Sequence, residues 1–176
     1  GIDRAVECGF DRIRLNAVIL DGLNRDEVVP LTHYALEKGV HIAFIEEMPL
    51  GQVNVGGKPL AYVSSDTLQQ ELAEHFSLVP MTASDTAGPA RDFLIAGTQT
   101  QVGFISPHSQ NFCAQCNRLR ISAEGRLLMC LGNEESIDLR GLLRAGSTDE
   151  EIKSAILESL SIKPERHVFD QPEEPQ

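Results

Sequence analysis

Cys113, Cys116 and Cys130 stand in the pattern C-x2-C-x13-C, and a glycine-bearing turn separates the second from the third. The run Ile121-Ser122-Ala123-Glu124-Gly125 lies between two strand-like stretches and reads as a β-hairpin. Folding the chain about residues 123–125 returns Cys130 to a place opposite residues 116–119, about one inter-strand spacing of ~4.8 Å away. The close pair chelates, the third thiolate arrives through the hairpin, and the three are expected to converge. Neither a basic segment leading into an apolar leader nor a membrane-length apolar run occurs in the sequence, so a cytoplasmic setting is the default. There, four cysteines point to metal binding or catalysis rather than to a disulfide framework.

Spacing alone leaves three readings of the cysteines open. Structural zinc wants four closed ligands, so it would need a histidine such as His108 or a ligand from a partner chain. An iron–sulfur cluster on three cysteines leaves one iron without a protein ligand, which suits substrate binding. The third reading is plain core cysteines. Cys8, far away at a helix end, is expected to be a small buried residue.

Arginines surround the pattern. Arg118 and Arg120 are two apart on an expected strand, so their side chains leave the same face, beside Cys116. From Phe112 to Cys130 there are three arginines, Arg126 being the third, against one acid, Glu124. Paired guanidinium groups suit a phosphate or a carboxylate, and the alternative is two solvated arginines on an edge strand. The rest of the chain is acidic, with a net charge of −11, which argues against non-specific nucleic-acid binding and confines any anion site to a local basic pocket.

The 176 residues, 41% of them hydrophobic, can bury a real core as one large or two small domains. Ile2, Ala5 and Val6 read as the end of a helix closed by Gly9. Ile13 to Leu20 is a buried strand. Asn24 with Glu27 forms a capping box for a helix whose apolar face is Val28, Val29, Thr32, Ala35 and Leu36 and which Gly39 closes. Val40 to Ile45 is a second strand, so residues 10–48 form the strand-helix-strand unit of a parallel sheet or barrel. Composition shifts at Pro49, which places a boundary there. The Gly57-Lys58 pair in the following glycine loop is no P-loop, because Pro59 stands where a Ser or Thr belongs and Gln52 where the first glycine belongs. Ser65 caps a helix bearing Leu68, Leu72 and Phe76, and strands follow from Arg91 to about Ser106. Ser147 with Glu150 caps a last amphipathic helix bearing Ile152, Ile156 and Leu160, which ends before Pro164. The parts are therefore residues 1–49, 50–165 and an acidic, disordered tail, 166–176.

With these residues in hand, the sequence resembles the carboxy-terminal half of the GTP 3',8-cyclase family, radical S-adenosylmethionine (SAM) enzymes of molybdenum-cofactor biosynthesis. The resemblance is carried by Gly103-Phe104-Ile105-Ser106-Pro107, by Phe112-Cys113-Ala114-Gln115-Cys116-Asn117-Arg118-Leu119-Arg120 and by Gly125-Arg126-Leu127-Leu128-Met129-Cys130-Leu131. It implies an α/β fold: the last strand-helix-strand unit of an incomplete radical SAM TIM-type barrel, followed by an α+β auxiliary-cluster domain. It also implies a 4Fe-4S cluster on Cys113, Cys116 and Cys130, with its open iron taking the guanine edge of GTP. Arg118, Leu119 and Arg120 match GTP-contacting positions, and Arg14 replaces a family lysine with the same role. Met48 matches a position that packs on S-adenosylmethionine. The family reaction is conversion of GTP to (8S)-3',8-cyclo-7,8-dihydroguanosine 5'-triphosphate, started by a radical that a second 4Fe-4S cluster generates from S-adenosylmethionine. Cyclic pyranopterin monophosphate synthase acts next in the pathway, and a homodimer is a candidate assembly; neither nucleic acid nor a membrane is an expected partner. No C-x3-C-x2-C occurs in the sequence, so the 176 residues alone are expected not to cyclise GTP; the absence of the family's terminal Gly-Gly is a second departure. The alternatives are another radical SAM enzyme with an auxiliary cluster, such as one that modifies a peptide, and a zinc-stabilised binding module.

Overall fold

A computed structural model describes residues 1–49, 54–55, 58–59, 61–82, 88–132, 135–167 and 169. Gly51, Gln52, Gly56 and Gly57 of the glycine loop and residues 170–176 of the expected tail lie outside the described residues. The chain divides into two compact units, one of Gly1–Asn111 and one from Phe112 onward.

The first unit opens with helix α1, Ile2–Glu7, which buries none of its residues. That corrects the expectation for Cys8: it is exposed, because the helix end it occupies packs on no core. Strand β1, Arg14–Asp21, helix α2, Val28–Lys38, and strand β2, His41–Glu46, then form the expected strand-helix-strand unit, with β1 and β2 parallel. Val28, Thr32 and Ala35 of α2 are buried, and the Thr32 hydroxyl joins the apolar face by donating to the Val28 carbonyl at 2.9 Å. Gly39 ends the helix in the left-handed region at φ 65°, where a side chain would be strained. The expected capping box at Asn24 does not form. Its side chain turns back to β1 instead, accepting from the Leu20 N–H and donating to the Val18 carbonyl, both at 2.9 Å, and a 3-10 turn, Arg25–Glu27, leads into α2.

Beyond Pro49 the chain makes a two-stranded ladder of β3, Asn54–Val55, and β4, Lys58–Pro59, and then returns to the first sheet. Strand β5, Ala61–Tyr62, pairs antiparallel with β1. Helix α3, Ser65–Ala73, follows; its N-cap is Ser64 rather than Ser65, with the Ser64 hydroxyl accepting from the Thr67 N–H at 3.2 Å. Strands β6, Leu78–Pro80, β7, Ala90–Ile95, and β8, Gln101–Ile105, complete a mixed six-stranded sheet in the order β5-β1-β2-β8-β7-β6. Its centre is the parallel set β1, β2 and β8. Helices α2 and α3 cover one face, where Val28, Ala35, Leu68 and Leu72 pack with Ile19, Ile42, Phe44, Val102 and Phe104 in one core. Each fully buried phenylalanine, Phe44 and Phe104, contributes on the order of 1.5–3 kcal/mol by leaving water.

The second unit holds the cysteines. A 3-10 turn, Cys113–Gln115, precedes the hairpin of β9, Arg120–Ile121, and β10, Arg126–Leu128, whose turn carries Gly125 at φ 78°. Strand β11, Ser136–Asp138, adds to β10, and helices α4, Leu139–Arg144, and α5, Asp149–Ser161, follow. Leu127, Met129 and Leu139 form a small core packed by Leu119, Ile137, Leu142, Ile152 and Ile156. The capping box of α5 lies one residue beyond the expected pair, at Thr148 and Glu151, and Leu160 stays 43% exposed rather than joining the buried face. No helix among the described residues is long and apolar enough to cross a membrane.

Candidate metal centre

The x2 spacing puts Cys113 and Cys116 on one turn, closed by the Cys116 N–H donating to the Cys113 carbonyl at 3.0 Å. Cys130 comes to the same end of the hairpin. The ladder pairs Leu127 with Ile121 and Leu128 with Arg120, so continuing it by two residues sets Cys130 level with Arg118. All three cysteines are half-buried and none is in a disulfide. They are not gathered into a closed ligand set: among the described residues no three His, Cys, Asp or Glu side chains stand close enough to hold a metal ion. The ladder ends at the pair Leu128 and Arg120, two residues before Cys130 and four residues after Cys116.

The surroundings of the thiols carry positive charge and N–H donors. Burial pushes the Cys116 thiol up, but the Arg118 backbone and guanidinium, together with the Lys163 ammonium, outweigh it and hold the thiol below its ordinary value. Lys163 Nζ lies 3.8 Å from Cys116 Sγ and donates to the carbonyls of Cys116 at 2.7 Å and Arg118 at 3.0 Å. The Gly132 N–H donates to Cys130 Sγ at 3.4 Å. Sequence reasoning missed both contacts. Lys163 is 47 residues from Cys116 and its only local signal was the helix end; Gly132 was findable as a glycine two residues past a candidate ligand.

The arginines divide by environment. The Leu119 side chain packs on the small core, and only Arg120 of the two neighbouring arginines lies on a strand, so the expected same-face alternation does not extend to Arg118. Arg118 lies just outside β9, half-buried, with its guanidinium 5.0 Å from the centre of the Phe112 ring. Arg120 is exposed on β9. Arg126 is engaged elsewhere, donating to the hydroxyl and carbonyl of Ser136 at 2.9 and 3.2 Å. In the first unit, Arg14 opens β1 and pairs with Asp92 at 2.8 Å, both side chains about one-fifth exposed, and donates to Gln101 at 3.3 Å. Met48 is half-buried and lies two residues past the end of β2, whose first residue is level with Arg14. The structure therefore sets Arg14 and Met48 at opposite ends of the parallel pair.

Glu46, the last residue of β2, is fully buried, and no functional reading of the sequence included it. Its carboxylate accepts from the N–H groups of Ser65 at 2.8 Å and of His108 and Ser109 at 3.0 Å, and from the Ser109 hydroxyl. Burial pushes this carboxyl up, and the four donors more than reverse that, holding it below the usual carboxylate range. The clamp holds His108 and Ser109, on the segment that runs on to Cys113.

In donor chemistry, though not in their spacing here, thiols kept out of disulfides, one of them acidified and a second accepting from an N–H, suit a thiolate-bound iron–sulfur cluster or zinc. Residues 40–169 match the Molybdenum Cofactor Synthesis C family. The chain is 50% identical to the GTP 3',8-cyclase of Ectopseudomonas mendocina (strain ymp) over 170 residues, 96% of this chain and 51% of that protein. It is 48% identical to the GTP 3',8-cyclase of Saccharophagus degradans over 177 residues, which covers 100% and 53%, and 51% identical to that of Pseudomonas putida (strain W619) over 172 residues, which covers 97% and 51%. The chain thus spans about half the length of the curated relatives it matches. A match over residues 40–169 takes in every strand of the six-stranded sheet but β1, with the cysteine turn and the hairpin, and the chain belongs to the Molybdenum Cofactor Synthesis C family.

Proposed function

We propose that the chain is the nucleotide-holding portion of a GTP 3',8-cyclase in molybdenum-cofactor biosynthesis. The observation that carries this reading is the identity of 48–51% to curated GTP 3',8-cyclases over 96–100% of the chain. The acidified Cys116 and its cationic neighbours support the same reading from the side of the chemistry. Cys113, Cys116 and Cys130 hold a 4Fe-4S cluster. When bound, that cluster supplies an iron without a protein ligand, open to a nitrogen or oxygen of the guanine edge.

The chain's own residues bind and orient. Arg118 and Arg120 take the triphosphate as bidentate donors, and the Phe112 ring fixes the direction of the Arg118 guanidinium. Leu119, whose side chain is committed to the core, contacts the nucleotide through its backbone. In the first unit, Arg14 is a GTP contact for which the Asp92 carboxylate holds the place of an anion, and Met48 packs on S-adenosylmethionine. The strand-helix-strand unit β1-α2-β2 is the last part of an incomplete radical SAM barrel. S-adenosylmethionine and a second 4Fe-4S cluster belong to the whole enzyme, which acts in the cytoplasm ahead of cyclic pyranopterin monophosphate synthase. Holding the nucleotide in one orientation is the kind of positioning that supplies much of a rate enhancement. The 176 residues alone do not cyclise GTP, because their four cysteines provide no second cluster motif.

Calorimetric titration of GTP into the anaerobically reconstituted chain tests the reading. Arg118→Ala and Arg120→Ala each remove a charge-assisted contact of about 1.5–3 kcal/mol, which is a loss of affinity of roughly 10- to 100-fold. Wild-type affinity in both variants would count against a cyclase.

A further inference from the structure

We propose that Lys163 is the positioning residue of the thiolate turn, a role that rests on the reading of Cys113, Cys116 and Cys130 as the cluster ligands. Lys163 stands just past the end of α5 and immediately before Pro164. A residue before proline is driven out of the helical region, so the chain here must leave the helix axis. The Lys163 N–H still donates to the Leu160 carbonyl at 3.3 Å, which ties its backbone to the helix end. Its stem therefore starts from a fixed base: α5 is closed at its other end by the Thr148–Glu151 box and seated on the small core by Ile152 and Ile156.

An ammonium at a helix C-terminus ordinarily serves the last carbonyls of its own helix. Lys163 instead donates to two carbonyls that bracket Asn117, those of Cys116 and Arg118, with Cys116 Sγ on its third side at 3.8 Å. Two carbonyls held by one cation fix the peptide planes that follow Cys116 and Arg118. Those planes set where the Cys116 sulfur and the Arg118 guanidinium point, so one lysine aligns a metal ligand and a nucleotide contact together. The same cation stands beside a sulfur whose ligand set becomes anionic on loading. A compact ammonium with three donors suits two carbonyls and a sulfur arranged around it; the planar fork of an arginine keeps the charge but not that arrangement.

Lys163→Met keeps the stem and removes donors and charge; Lys163→Arg keeps the charge. In the metal-free full chain, Lys163→Met is expected to raise amide hydrogen exchange across residues 113–119 at least tenfold. After anaerobic reconstitution it is expected to lose at least half of the bound iron and to shift the potential of the remaining cluster to more negative values, with Lys163→Arg recovering the potential. If Lys163→Met proves unfolded by circular dichroism, Lys163→Gln, which keeps an N–H donor without charge, carries the test, and an unchanged potential and iron content there overturn the proposal. Wild-type exchange and wild-type iron content in folded Lys163→Met also overturn it. Raised exchange in a chain whose wild type binds no iron upholds Lys163 as the tether and sinks the cluster reading instead.

Discussion

Replacing Glu46 by glutamine tests how the segment leading to Cys113 is held. In its best orientation the amide oxygen replaces the acceptor of the His108 and Ser109 N–H groups, and the amide nitrogen donates to the Ser109 hydroxyl. The Ser65 N–H, at the start of α3, is then left buried without an acceptor. An orphaned buried donor costs about 1–3 kcal/mol, and three hydrogen bonds that lose charge assistance weaken by roughly 1 kcal/mol each. The neutral side chain is cheaper to bury, which offsets part of this, so the net destabilisation is about 2–4 kcal/mol. At about 2–4 °C per kcal/mol for a chain of this size, Tm falls by roughly 10 °C in thermal denaturation followed by circular dichroism at pH 7. The sign of the pH dependence follows from the depressed carboxyl. Its stabilisation is complete above the ordinary glutamate range near ~4.3 and is lost as pH falls through the lower folded value. The gap between wild type and Glu46→Gln is therefore widest at neutral pH and narrows in acid, where the wild type also carries a neutral side chain. Equal Tm values at pH 7, or a gap that is the same at every pH, would refute the clamp.

The Arg14–Asp92 pair can be tested from its far side. A Cβ on Gly103 would lie 2.6 Å from Asp92 Oδ1, so Gly103→Ala must displace the carboxylate and is expected to cost about 1–3 kcal/mol; in an Asp92→Ala background most of that cost should vanish, and additivity in the double-mutant cycle would show that the two positions do not share a partner. Gly132→Ala places a methyl 2.6 Å from the Phe169 ring and 3.0 Å from His167 Cβ, so either the ring or the peptide that donates to Cys130 must move. The expected result is about 1–3 kcal/mol of lost stability together with weaker metal retention on dialysis against a chelator, and unchanged retention would separate that N–H from the site.

Local patterns were legible wherever local physics decides the outcome. The apolar period of α2, the left-handed Gly39 and the hairpin around Gly125 all follow from residues within one turn of each other. Caps were legible only to within a residue. Ser147–Glu150 and Thr148–Glu151 both satisfy the same template, and the extended backbone of Thr148, at φ −71° and ψ 161°, decides between them; Ser64 wins over Ser65 in the same way. At Asn24 a short polar side chain found acceptors and donors in the preceding strand, a competition that spacing does not reveal. Glu46 was within reach: alternation along β2 sets it on the same face as the buried Ile42 and Phe44, which forces a buried carboxylate to find donors. The cysteine pattern and the paired arginines were visible as sequence. Lys163 was not, since its role depends on where α5 ends relative to a turn far back in the chain.

Whether Cys113, Cys116 and Cys130 together hold an iron–sulfur cluster is decided by metal analysis and absorption spectroscopy of the anaerobically purified chain. The expected result is a brown protein containing iron and sulfide in equal amounts, with a broad visible absorption that bleaches on reduction and is lost in Cys116→Ser and in Cys130→Ser. A colourless protein carrying zinc, or a cluster that persists in Cys130→Ser, would contradict it.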